Sequence, residues 1–353
     1  MRFNLRQSFA LVLTAIILFF ACESQHFTGA KVYIQQNNWD KAIEQLQIET
    51  QQNPANAEAW WLLGSSYAKK KMFVPMNQAF DKCLEIDKTP QRQEQITNTQ
   101  HNEWVPLYNS AVGLMQKSDF AGALEKINTA ITINNTKPEN WVNKGIIYIQ
   151  LDSVDLALVE FDKAIEAIDK PVSVTDTSLL FTSLKDKAAI LQTKGKTDEA
   201  ITIFEKITEL KPQDALTYIA MGSIYDERKD FEKSRVCYEK AAELEPDNKD
   251  VQYNIGVSCF QAKNYECAIQ AFERVISISP DDVDALYNLG LLYVMDKKFD
   301  AALPHLEKLS ELDAENKDVW GLLGTCYVQL GNKEKGAKAF DRAKELEKMN
   351  NEE

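Results

Sequence analysis

Histidine is scarce in this chain of 353 residues, which holds 3, and glycine and proline are few, at 13 and 10. His26, His101 and His305 stand far apart with no H-E-x-x-H or other ligand spacing, so no metal and no other cofactor is expected. A glycine-rich phosphate loop and a nucleophile motif are both missing, which removes the common routes to nucleotide binding and covalent catalysis. Basic residues are outnumbered, 40 against 53 acidic, and the net charge of −13 is spread along the chain rather than gathered in blocks. Nucleic acid is therefore not an expected partner. An apolar run long enough to span a bilayer, about 20 residues, is absent as well.

The longest apolar run, Phe9 to Ala21, follows Arg2 and Arg6 and ends on Cys22, which reads as an export signal rather than a permanent anchor. Phe19 and Phe20 stand where a signal-peptidase site wants small residues. A small residue followed by cysteine, here Ala21-Cys22, resembles the bacterial lipoprotein signal, although Phe19 stands where that family usually has leucine. The resemblance implies a signal over residues 1–22, lipidation at Cys22, and attachment to a membrane surface through the lipid. It also implies an exported lipoprotein of the cell membrane or outer membrane, facing the periplasm or the cell surface. Glu23 in place of aspartate weakly favours the outer membrane.

What the chain does have is a period of 34 residues, and it organises nearly everything after Cys22. Trp60, Leu63, Gly64 and Tyr67 recur as Trp141, Gly145 and Tyr148, as Leu286, Leu289, Gly290 and Tyr293, and as Trp320, Leu323, Gly324 and Tyr327, at positions 4, 7, 8 and 11 of the unit. Small residues at 20, bulky ones at 24 and small ones at 27 follow, as in Ala157, Phe161 and Ala164. Proline closes several units at position 32, at Pro54, Pro212, Pro246 and Pro280. Apolar residues three and four apart give two helices a stripe each, small residues let the helices approach, and proline stops the second. The pattern resembles the tetratricopeptide (TPR) repeat, which implies an all-α fold, an α-solenoid coiled as a right-handed superhelix of nine helical hairpins.

Nine units start at 23, 57, 104, 138, 181, 215, 249, 283 and 317. Repeats one and two cover 23–90, a polar insertion covers 91–103, repeats three and four cover 104–171, a second insertion covers 172–180, and repeats five to nine cover 181–350. The first insertion is expected to lengthen a helix, with Pro106 as its kink or its true start. The second reads as a short loop with Thr175 or Asp176 as a helix cap. Met76, after Pro75, predicts an irregular start to the second helix of repeat two. Ala337 and Lys344 read as a solubilising end cap, where the array is expected to stop. These pieces leave no room for a catalytic domain, so no enzyme is expected. Asp281, Asp282 and Asp284 read as helix-terminal residues rather than a metal site. Besides Cys22, cysteines stand at 83, 237, 259, 267 and 326 without C-x-x-C spacing. Packed helix axes lie about 8–10 Å apart and a disulfide needs Cα atoms within about 7 Å, so Cys259 and Cys267 are expected to stay free, buried thiols like the rest.

The resemblance places a partner in the concave groove lined by the first helix of each hairpin, at positions 2, 5, 9, 12 and 13. Asn109, Asn143, Asn254 and Asn288 stand at position 6, but the cations that clamp an acidic tail in some such proteins are reduced to the scattered Lys31, Lys69 and Lys185. The groove positions instead hold Tyr253, Val257, Phe260, Tyr287, Leu291, Val294, Met295 and Val328, with Tyr108, Val112 and Met115 in repeat three. An apolar or helical segment of a partner protein is the expected ligand. The reading is a membrane-tethered protein-interaction scaffold or adaptor in envelope assembly, outer-membrane assembly or secretion. The alternatives are a regulatory subunit of an envelope enzyme and a self-assembling structural protein.

Overall fold

The structure is a computed structural model that describes residues 24–168 and 174–350, so the leader and Cys22 lie outside the described residues. Eighteen helices and no strand occupy those residues. They are α1 (Gln25–Gln35), α2 (Trp39–Gln52), α3 (Ala57–Lys69), α4 (Phe73–Ile86), α5 (Pro90–Gln116), α6 (Phe120–Ile133), α7 (Pro138–Gln150), α8 (Val154–Ala167) and α9 (Val174–Thr193). The chain continues through α10 (Thr197–Leu210), α11 (Ala215–Glu227), α12 (Phe231–Leu244), α13 (Lys249–Gln261), α14 (Tyr265–Ile278), α15 (Val283–Met295), α16 (Phe299–Leu312), α17 (Lys317–Gln329) and α18 (Lys333–Asn350). The fold is an all-α solenoid of helical hairpins. Two compact units divide it, residues 1–180 and 181–353.

Within a hairpin the helices close on one contact. A Cβ added to Gly256 would sit 2.8 Å from the Phe272 ring, and one added to Gly145 would sit 2.7 Å from Phe161. Glycine at position 8 thus makes room for the bulky residue at 24. In repeat three the same two positions hold Ala111 and Ile127, and in repeat five Ala188 and Phe204, all buried. The turn after each first helix needs one left-handed residue, supplied by Lys71, Lys229, Lys263 and Lys297 among others. The tryptophan at position 4 fastens the loop before it: Trp60, Trp141 and Trp320 donate their indole N–H to the carbonyls of Pro54, Asn135 and Ala314 at 2.9, 3.2 and 2.9 Å. The tyrosine at position 11 ties one hairpin to the one before, since Tyr293 and Tyr327 donate to Glu273 and Glu307 at 2.5 and 2.6 Å.

Three local expectations are corrected. Residues 174–180 are helical rather than a loop, because Leu180, Leu184, Ala188 and Leu191 form one buried stripe that draws the helix upstream. The second helix of repeat two starts regularly at Phe73, since Pro75 falls in the first turn, where no amide hydrogen is needed, and Met76 is fully buried. Cys259 and Cys267 are joined in a disulfide with Cα atoms 5.8 Å apart. The axis-to-axis distance misleads there, because both cysteines flank the closed end of the hairpin, where the Asn264 amide donates to the Cys259 carbonyl at 2.8 Å. Cys83, Cys237 and Cys326 are free and buried.

The first insertion lengthens α5, which runs unbroken through Pro106. Its first half lies along α3: Arg92 pairs with Glu58 near the start of that helix, and Glu103 pairs with Lys71 beyond its end. Arg92 also stacks over the Trp61 ring, 4.9 Å from its centre.

Glu49, buried at the end of α2, joins two helix starts. It accepts from the Ser24 hydroxyl and from the side-chain amides of Asn53 and Asn56 at 3.1 and 2.9 Å. Burial alone would raise its carboxyl, but those hydrogen bonds and the charge of His26 outweigh burial and hold it below its ordinary 4.5. A depressed carboxylate stabilises the fold above its unfolded value and loses that contribution as pH falls through the folded one. Glu49→Gln should therefore weaken the first hairpin by about 1–3 kcal/mol at pH 7. Amide exchange in α1 and α2 should show wild type and variant converging in acid, below the folded value.

Candidate partner-binding groove

Eight of the groove residues read from the sequence lie on α13, α15 and α17 of the second unit. Tyr253 is half-buried, with its ring set edgewise on Phe272 at 5.5 Å, and its hydroxyl accepts from the Asn288 side chain at 3.3 Å. Val257 and Phe260 pack on the core that Tyr253 joins, and Tyr287 and Val294 pack on the core of the last two hairpins. Leu291 is half-buried, while Met295 and Val328 are 48% and 39% exposed. The first two helices of the stripe thus present a floor anchored below and open above. Tyr108, Val112 and Met115 stand on α5 in the first unit, half-buried. Tyr108 stacks on Trp104 with ring centres 4.6 Å apart and serves the core as much as the surface.

Two groove residues were overlooked in the sequence. Leu216 at position 2 of repeat six is 56% exposed, and Ile219 at position 5 is half-buried, so the apolar stripe extends one hairpin further upstream. Their positions in the frame were signal enough. At the other end Gly321 stands at position 5, where Tyr253 and Tyr287 stand in the preceding repeats, and a Cβ added there would meet nothing within 4 Å beyond its chain neighbours and its own helix backbone. A hollow of about 750 Å³ opens at that place, walled by Tyr287, Asp318, Leu322 and Thr325 together with Phe340 and Lys344 of α18.

The groove is acidic along one edge. Asp250, Asp284 and Asp318 stand exposed at position 2 of α13, α15 and α17. Capping of these helices falls to their neighbours, since Asn248, Asp282 and Asn316 accept from the first-turn amides. The nearest lysines are committed elsewhere, Lys249 to Asp282 at 2.7 Å and Lys317 to Glu347 at 3.6 Å. Burial, and after it the charge of Asp284, raises the Tyr253 hydroxyl above its ordinary value; burial and Asp318 do the same for Tyr287. The carboxylates are therefore felt on the groove floor. Among the described residues no group of three or more histidine, cysteine or acidic side chains is placed to hold a metal ion, and no helix is long and apolar enough to cross a membrane.

Comparison with known families agrees with this architecture. Two tetratricopeptide repeat profiles match residues 30–71 and 57–90. The profile described as the N-terminal TPR repeats region of Psidin matches 147–271, and that of anaphase-promoting complex, cyclosome, subunit 3 matches 261–343. The chain is a tetratricopeptide repeat protein. A TPR repeat-containing protein of Methanocaldococcus jannaschii is 25% identical over 208 residues, which are 59% of this chain and 30% of that relative. The chain thus spans about a third of the length of the curated relative it matches. Among solved structures, the C-terminal part of a TPR repeat-containing protein from Cytophaga hutchinsonii has the same fold at 20% identity and a TM-score of 0.53, over 68% of this chain and 95% of that one. A tetratricopeptide repeat protein from Parabacteroides merdae is similar at 19% identity and a TM-score of 0.45, over 69% and 93%. The fold is one that serves protein–protein interaction.

Proposed function

We propose that this protein is a membrane-tethered scaffold that receives an apolar, helical segment of a partner protein in the groove of α13, α15 and α17. The observation that carries the reading is the stripe itself, in which Tyr253, Val257, Tyr287 and Leu291 remain half-exposed on helices whose opposite faces are buried. Side chains held from below and open above lose little freedom on binding, which favours an anchor surface. The tether is supported by the sequence Ala21-Cys22, and the Cys259–Cys267 bond suits an oxidising compartment outside the cytosol.

Tyr253→Ser, Tyr287→Ser and Leu291→Glu together should abolish capture of the partner from native membranes while the helical circular dichroism signal and its melt persist. Undiminished capture by the triple variant would sink the groove. Cys22→Ser should move the protein from the membrane to the soluble fraction and remove its labelling by radioactive palmitate. A variant that stays membrane-bound would discard the lipid.

A further inference from the structure

Arg92 shows what the first-helix surface takes when it is filled. It lies over the aromatic residue at position 5 of repeat two, Trp61, and pairs with the carboxylate at position 2, Glu58, while Asp87 before its own helix accepts from its Nε at 3.2 Å. The arginine comes from the polar insertion, whose helix lies along α3. In repeats seven and eight the same pair recurs as Asp250 with Tyr253 and Asp284 with Tyr287, one turn apart on each helix. Among the described residues no arginine forms an ion pair with either aspartate. Among the described residues neither aspartate makes an ion pair, and the adjacent Lys249 is held by Asp282.

We infer that the occupant of the groove is an arginine-bearing helix, one guanidinium lying over Tyr253 against Asp250 and a second over Tyr287 against Asp284, as Arg92 lies over Trp61 against Glu58. The inference rests on the groove reading above and adds the partner's charge. A guanidinium suits the site better than an ammonium, because its flat face stacks on the ring while its edge meets the carboxylate. First-turn aspartates also stabilise a helix through its dipole, but that effect is indifferent to which face they take. Here they stand exposed beside the tyrosines, and the charge that reaches the Tyr253 hydroxyl is that of Asp284 on the next first helix, as that of Asp318 reaches Tyr287. Two arginines about seven residues apart stand on one face of an α-helix, two turns and about 10 Å from each other, and the peptide carries them at that spacing.

The test uses the full chain after its leader and three synthetic peptides with one apolar face in common. One carries the two arginines, one has citrulline at both places, and one has glutamate. Fluorescence anisotropy should find the arginine peptide bound about tenfold more tightly than the citrulline peptide, with the glutamate peptide weaker again. Asp250→Asn with Asp284→Asn should erase that margin and leave the melting curve as it was. Equal affinity for arginine and citrulline, a margin that survives the double variant, or no binding by any peptide overturns the inference. The two failures are distinguishable: the inference alone fails if the arginine and citrulline peptides bind equally and both are lost from the Tyr253→Ser, Tyr287→Ser, Leu291→Glu variant, whereas an arginine peptide that still binds that variant removes the groove reading and the inference with it.

Discussion

Phe272→Ala should destabilise the second unit by about 3–5 kcal/mol, the usual loss when a fully buried phenylalanine is truncated. The side chain is 1% exposed, fills the space over Gly256 and supports the Tyr253 ring at the groove floor. The reverse error, Gly256→Ala, places a methyl 2.8 Å from the ring and should cost about 1–3 kcal/mol by overpacking. Repeat three holds a smaller partner beside its alanine, Ile127 with Ala111, at the same two positions. Gly256→Ala with Phe272→Ile should therefore cost less than the sum of its single changes, and urea denaturation of the four proteins would measure the coupling. Strict additivity would mean that the two positions do not share one space.

The second large effect concerns the bond between α13 and α14. Cys259→Ser with Cys267→Ser should remove on the order of 2 kcal/mol, what closing so short a loop contributes by chain entropy. Reductant should lower the wild-type melting temperature to that of the double variant and leave the variant unmoved. The comparison is clean because the other thiols are poor targets: burial pushes Cys237 up to about 11 and also raises Cys83 and Cys326. A wild-type melt indifferent to reductant would show that the hairpin stands without the bond.

The hairpins were legible because a 34-residue period repeats the same local demands: an apolar stripe per helix, a small residue at closest approach, and proline at the exit. The half-buried stripe of Tyr253, Val257, Tyr287 and Leu291 was legible for the same reason, since once the frame is known a position implies a face. The sequence was read less well where a residue's role depends on something outside its own repeat. Residues 174–180 look like a loop until the buried stripe from Leu180 to Leu191 makes them helix. Arg92 is one polar residue in a polar insertion until α5 lies along α3 and places it over Trp61.

The sequence by itself determined the repeating unit, the all-α class, the excess of acid and the positions that share one face of each first helix. Each of these follows from spacing along one chain, through the 3.6-residue turn of the helix. Only the tertiary structure decided that Cys259 and Cys267 meet, that the first insertion supplies Arg92 to Glu58, and that Lys249 pairs with Asp282 rather than with Asp250 or Asp284. Those are distances between atoms far apart in sequence or across a turn, and no period encodes them.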